Sequence, residues 1–150
     1  MNEMDDTVDV LLIENNSSDT SLISKILDIH EWGVNFSEVG DGIEAMDYLH
    51  KKGKYENSKT PSLILLDLNL PKKNGLEVLK EIKTDDILKC IPVIVLTNSD
   101  DDKDISESYD NHANAYMIKP TDFSNFKEDI QRFREFWFNN VQLPRRTYLD

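Results

Sequence analysis

The chain has 150 residues, 39% of them hydrophobic, with 29 acidic against 17 basic side chains and a formal net charge of −12. That length supports one domain with a core of its own, and so acidic a surface repels nucleic-acid phosphates rather than gathering them; the basic pair Arg145-Arg146 is too short to reverse this. No apolar run approaches the roughly 18–20 residues of a membrane span, and the single Cys90 permits no internal disulfide.

The opening MNEMDDTVD is acidic, unlike the basic start of a signal peptide, so a cytoplasmic protein is expected. VDVLLI, residues 8–13, is the continuous apolar run that a strand covered on both faces requires, and it ends in Glu14-Asn15. Residues 18–29 place Leu22, Ile26 and Ile29 on one helical stripe, with Ser17 or Ser18 as N-cap and Trp32 as a loop anchor beyond. VNFSEV, residues 34–39, alternates and reads as a half-exposed edge strand. A helix over residues 42–51 carries Ile43, Met46 and Leu49. SLILLD, residues 62–67, is a third strand that runs straight into Asp67. The next helix, residues 74–83, carries Leu76, Leu79 and Ile82.

Cys90 stands just ahead of the fourth strand, IPVIVLT, residues 91–97, and reads as a small buried hydrophobe. Residues 103–112 form a weakly apolar helix anchored by Ile105 and Tyr109, inside the acidic run DDDKDISESYD; that run reads as a solvated face or a dock for a basic partner. AYMIKP, residues 115–120, is the fifth strand. Phe123, Phe126, Ile130, Phe133 and Trp137 then repeat in a 3-4-3-4 rhythm, the core stripe of a long last helix, so Phe136 and Phe138 point elsewhere. Val141 and Leu143 make an apolar tail that needs cover, from its own domain or, preferred, from a second copy of the chain. His30, His50 and His112 are too far apart to form a ligand set.

Strand and helix alternating five times imply one parallel sheet with helices on both faces and right-handed crossovers. The site of such a sheet lies beyond the carboxyl ends of its strands. There the chain delivers Glu14-Asn15, Asp67, Thr97 and Lys119-Pro120. Singly, these residues read equally as a solvated loop, a turn, a helix cap and a surface lysine; arriving together at one rim, they form a constellation. Glu14 and Asp67 brought together repel unless a cation lies between them. Oxygen ligands without His or Cys select a hard ion, Mg²⁺ above all. Asp67 is then a carboxylate nucleophile for phosphorus, with the Lys119 ammonium and the Thr97 hydroxyl meeting the other oxygens.

IENN after the first strand, DLNLPKKNG around Asp67, LTN after the fourth strand and YMIKP after the fifth resemble the receiver domain of two-component response regulators. The resemblance spans about residues 8–130. It implies a flavodoxin-like α/β fold with strand order 2-1-3-4-5, a receiver core over about residues 8–134 and a short C-terminal extension over about 135–150. By the same likeness Asp67 is the phosphoacceptor, Asn69 lends its backbone carbonyl to Mg²⁺, and Lys119 pairs with the phosphoryl group. Pro120 is expected to follow a cis peptide bond, and Thr97 and Tyr116 to rearrange together, Tyr116 filling space from outside that Thr97 vacates. No classical enzyme activity is implied, only assistance to the chemistry of Asp67 itself. The phosphodonor is expected to be a sensor histidine kinase, and with about 20 residues left beyond Ile130 the output is expected to leave through a surface.

DLNLPKKNG, KKGKYENSKTPS and EFWFNNVQLP are further similar to single-domain regulators paired with phytochrome-like histidine kinases. One position departs from the family pattern. Asn15 stands where a second acid contacts the metal, so the resemblance implies a site that binds Mg²⁺ more weakly. That substitution also keeps open a degenerate receiver that only binds partners. A phosphatase of the haloacid dehalogenase type wants a second acid where Asn69 stands and a nucleophile after the first strand. A flavodoxin-like cofactor binder wants an acid-free phosphate loop where Glu14 stands.

Overall fold

In the computed structural model, which describes residues 7–144, the five apolar runs form a single parallel sheet. Strands β1 (Val8–Ile13), β2 (Val34–Val39), β3 (Leu63–Leu66), β4 (Val93–Thr97) and β5 (Ala115–Ile118) lie in the order β2-β1-β3-β4-β5. The connecting helices are α1 (Ser17–Leu27), α2 (Gly42–Leu49), α3 (Gly75–Thr84), α4 (Asp102–Asp110) and α5 (Phe123–Glu135). This is the flavodoxin-like order, with helices on both faces.

The strands are apolar throughout because both of their faces are covered. Leu11, Ile13, Ile64, Leu66, Val93 and Val95 face one layer, packed by Met46 and Leu49 of α2 and Val78, Leu79 and Ile82 of α3. Their alternates Val10, Leu12, Leu63, Leu65, Ile94 and Leu96 face the other, against Ile23 and Leu27 of α1 and Phe126, Ile130 and Phe133 of α5. Each such side chain fully buried stabilises the fold by about 1.5–3 kcal/mol. A one-residue slip in any central strand would exchange the two layers, so register is tightly held. It pairs Ile13 with Leu66, Leu66 with Val95 and Thr97 with Ile118, so these strands end at one rim.

Several expectations are corrected by tertiary context. α1 is capped by Asn16, whose side chain accepts from the Asp19 N–H, and not by Ser17 or Ser18. Ile43 and Phe123 are 49% and 65% exposed, because each lies in the first turn of its helix, beyond the sheet it was expected to pack on. On α4 the buried residue is Ser108, while Tyr109 is exposed. β4 starts at Val93, because a tight 3₁₀ turn, Leu88–Cys90, occupies the approach to Pro92. Within that turn Cys90 is exposed, its thiol directed to the Ile87 carbonyl at 3.2 Å.

The last helix widens into a π-type segment, Phe136–Asn140, before the chain turns back. Phe138 meets Phe133 edge-on at 6.3 Å, and Leu143 is buried against the α1/α5 layer, so the tail is covered by its own domain. Phe136 stays exposed. Arg134 stacks on Trp32 at 5.5 Å, which ties the end of α5 to the loop after α1. Arg145, Arg146 and the first six residues lie outside the described residues. Among the described residues no helix is long and apolar enough to cross a membrane.

Candidate functional site

The rim beyond the strand ends is built by short continuations of the sheet. The Asp67 N–H donates to the Ile13 carbonyl at 3.0 Å, and the Lys119 N–H to the Thr97 carbonyl at 2.7 Å, so both residues are fixed by backbone ladders before their side chains begin. Gly75 opens α3 directly against this turn: its N–H donates to the Leu68 carbonyl at 2.9 Å. A Cβ there would collide with the Asp67 carbonyl oxygen and the Leu68 Cα. Glycine at this position is therefore what lets α3 seat under Asp67. Asn74 caps the same helix in a reciprocal capping box with Glu77, leaving its first turn well anchored.

Three elements converge on the Lys119 ammonium, which is only 7% exposed. Its Nζ donates to Glu14 Oε1 at 2.6 Å, to Asp19 Oδ2 at 2.8 Å and to Asp67 Oδ2 at 3.1 Å. The remaining oxygens are partly engaged. Glu14 Oε2 accepts the Asn16 N–H at 3.1 Å, and Asp67 Oδ1 accepts the Asn69 N–H at 3.0 Å. Thus Glu14 and Asp67, 105 and 52 positions before Lys119 in the chain, share one polar cup with it.

The charges are coupled. Burial, followed by the nearby Asp67, pushes the Glu14 carboxyl up to about 7, and Lys119 opposes this without cancelling it. For Lys119, burial disfavours the charge. Asp19, Glu14 and Asp67 together outweigh that cost and hold its pKa above the ordinary lysine value. The cup thus carries more negative charge than its ammonium balances, which is the condition that a hard cation relieves. Among the described residues no three His, Cys, Asp or Glu side chains form a metal cage by themselves. The Glu14 and Asp67 carboxylates suit a hard ion only if neutral oxygens complete the shell, and the Asn15 amide, the Asn69 carbonyl and water are the chemical candidates. Asn15 and Asn69 are both exposed beside the cup.

Thr97 closes β4 fully buried, and its hydroxyl has no hydrogen-bond partner among the described residues. An orphaned buried hydroxyl costs roughly 1–3 kcal/mol. Tyr116 does not wait outside: it is half-buried against the α2/α3 layer, its hydroxyl donating to the Ser99 carbonyl at 2.9 Å. The peptide bond before Pro120 is trans, because the described backbone contains no cis bond. Asp19 was not singled out from the sequence. Its signal was an acid in the first turn of the helix that follows Glu14, a turn opening at the same rim.

The model of the response regulator receiver domain matches residues 10–131. Response regulator Rcp1 of Synechocystis sp. is 42% identical over 135 residues, 90% of this chain and 92% of that protein. The probable methanogenesis regulatory protein FilR2 of Methanothrix harundinacea is 38% identical over 144 residues, 95% of this chain and 91% of that protein. Among solved structures, the Mn²⁺-bound form of Rcp1 superposes with a TM-score of 0.88 at 42% identity, covering 91% of this chain and 99% of that one. The phosphorylated cyanobacterial phytochrome response regulator RcpA gives 0.88 at 44% identity, covering 92% and 99%. The match runs from within β1 to α5 and takes in every strand end of the cup: the chain belongs to the receiver-domain family of two-component response regulators.

Proposed function

We propose that Asp67 is the phosphoacceptor, taking a phosphoryl group from a phosphohistidine of a sensor histidine kinase in a Mg²⁺-dependent reaction in the cytoplasm. The observation that carries this reading is the Lys119 ammonium, 3.1 Å from Asp67 Oδ2 and 2.6 Å from Glu14 Oε1 in a buried cup. One Asp67 oxygen attacks phosphorus as the bond to the imidazole nitrogen breaks, and the donor leaves as neutral imidazole once it has regained a proton. Lys119 is placed to neutralise charge on the transferring group without moving far, which is most of what phosphoryl transfer asks of a protein. Glu14, Asp67, the Asn15 amide and the Asn69 carbonyl would hold Mg²⁺, which when bound supplies charge neutralisation and in-line orientation. The receiver core over about residues 8–134 carries this chemistry and the segment beyond is an extension.

Readout follows from charge. A phosphoryl group on Asp67 replaces one negative charge with about two and adds acceptor oxygens. The Thr97 hydroxyl, without a hydrogen-bond partner among the described residues, is available to satisfy one of them, and Tyr116, tied to Ser99 in the next loop, carries the change toward α4 and β5. The cyanobacterial phytochrome response regulator RcpA, and the bacteriophytochrome response regulator RtBRR at 36% identity and TM-score 0.70, support a phytochrome-like kinase as the donor. A second copy of the chain, meeting the exposed Phe136 at the end of the last helix, is the proposed homodimer partner. A second reading, a receiver that binds partners without being phosphorylated, draws on Asn15 alone. Incubation with acetyl phosphate and Mg²⁺, read by intact mass, separates the two. The native chain gains one phosphoryl group and Asp67→Asn does not; a native chain that gains none is the degenerate receiver.

A further inference from the structure

The Lys119 ammonium sits among three carboxylates, and an ammonium has three N–H donors, so Glu14, Asp19 and Asp67 use all of them. On the reading above, two of those carboxylates have other work. Glu14 and Asp67 must offer oxygens to a cation, and Asp67 must also attack phosphorus. Lys119 competes for the same oxygens as an internal cation. Because Asn15 is neutral, no second acid beside Glu14 relieves that competition. Asp19 is the contact whose carboxylate serves no other partner among the described residues. Its backbone is fixed in the first turn of α1 by the Asn16 cap at 2.9 Å, and its carboxylate lies 2.8 Å from Nζ, nearer than that of Asp67.

We infer that Asp19 is a positioning residue: it shares the Lys119 ammonium with Glu14, holding it farther from Asp67 than from either, which leaves the Asp67 oxygens more available to a divalent cation and keeps the ammonium poised for the phosphoryl group. By formal charge, three carboxylates against one ammonium leave the cup at −2. Without it the cup falls to −1, and Lys119, already 2.6 Å from Glu14, closes on the Asp67 oxygen that a cation needs. This inference rests on the proposed phosphoacceptor chemistry.

Mn²⁺ serves as the probe, its binding read from the electron paramagnetic resonance of the free ion at a pH above that at which Glu14 ionises. Asp19→Asn is expected to weaken Mn²⁺ binding about tenfold and to slow labelling by acetyl phosphate, while Asp19→Glu recovers most of both. In a Lys119→Met background, Asp19→Asn is expected to weaken Mn²⁺ binding less than it does in the native chain, because the competing ammonium is gone and only the carboxylate's own charge is lost. Unchanged affinity in Asp19→Asn, an equal loss in the Lys119→Met background, or no recovery by Asp19→Glu overturns the inference. Should Lys119→Met fail to fold, the comparison of Asn with Glu at position 19 decides alone. Failure of the underlying reading is distinguishable: the native chain would then gain no phosphoryl mass, or Asp67→Asn would gain it too, whatever position 19 does.

Discussion

Replacing Gly75 with alanine sets two effects of opposite sign against each other. Alanine is favoured over glycine in a helix interior by about 1 kcal/mol, and at the first helical position by less. Propensity alone therefore predicts slight stabilisation. The added Cβ, however, would lie 3.0 Å from the Asp67 carbonyl carbon and closer still to its oxygen and to the Leu68 Cα. These are backbone atoms and cannot rotate away, so α3 or the turn after β3 must shift. Overpacking of this kind costs roughly 1–3 kcal/mol, and a backbone collision belongs at the upper end. The net expectation is a loss of about 2 kcal/mol, a fall in Tm of roughly 4–8 °C for a chain of this size. Because Asp67 itself sits on the displaced turn, labelling by acetyl phosphate should slow about tenfold even where the protein is fully folded. Thermal denaturation and intact-mass kinetics on Gly75→Ala measure both. A variant as stable as the native chain and labelled as fast would refute the close approach of α3 as the device that seats Asp67.

Three further outcomes are expected. Asn15→Asp adds a charge beside the cup at an exposed position. Unit charges about 4 Å apart are worth roughly 1 kcal/mol in water and 4 at an effective dielectric of 20, so a divalent ion gains about 1–2 kcal/mol net of repulsion from Glu14 and Asp67. Mn²⁺ titration should show about tenfold tighter binding, and equal affinities would remove charge as the reason that Asn15 matters. Glu14, raised from 4.5 to about 7, holds a proton in the folded state that the unfolded chain has lost between those values. Metal-free stability should therefore fall as pH rises through that window, while Mn²⁺ affinity climbs; Glu14→Gln should abolish the first trend, and a stability flat in both proteins speaks against the buried carboxyl. Leu143→Ala should cost about 2 kcal/mol locally, releasing the tail without unfolding the sheet. Hydrogen exchange at the Val141 amide, bonded to the Phe136 carbonyl at 3.0 Å, reads this out, and unchanged exchange means that Leu143 does not hold the tail.

The elements and the rim were legible in the sequence because burial on both faces of a parallel sheet forces unbroken apolar runs, and a polar residue ending such a run marks the edge. That is how Glu14, Asp67, Thr97 and Lys119 could be picked out along the chain. The strand order came from family likeness, since spacing alone leaves several right-handed windings open. What local pattern could not supply was the exposure of single helical positions. Ile43 and Phe123 keep the right period but project past the end of the sheet, and Cys90 is turned outward by the turn before Pro92. The tail's cover was likewise a tertiary matter, because whether Leu143 packs on its own α1/α5 layer depends on where the π-type segment redirects the chain. Asp19 shows the same limit at the cup. One-dimensional spacing places it in a helix's first turn, but only tertiary packing, with α1 laid against α5 on one face of the sheet, brings its carboxylate to an ammonium 100 residues away. Sequence alone sets which residues must hide from water; which polar groups then meet is decided by how the layers pack, because hydrogen bonds and ion pairs act over ångströms that chain order does not encode.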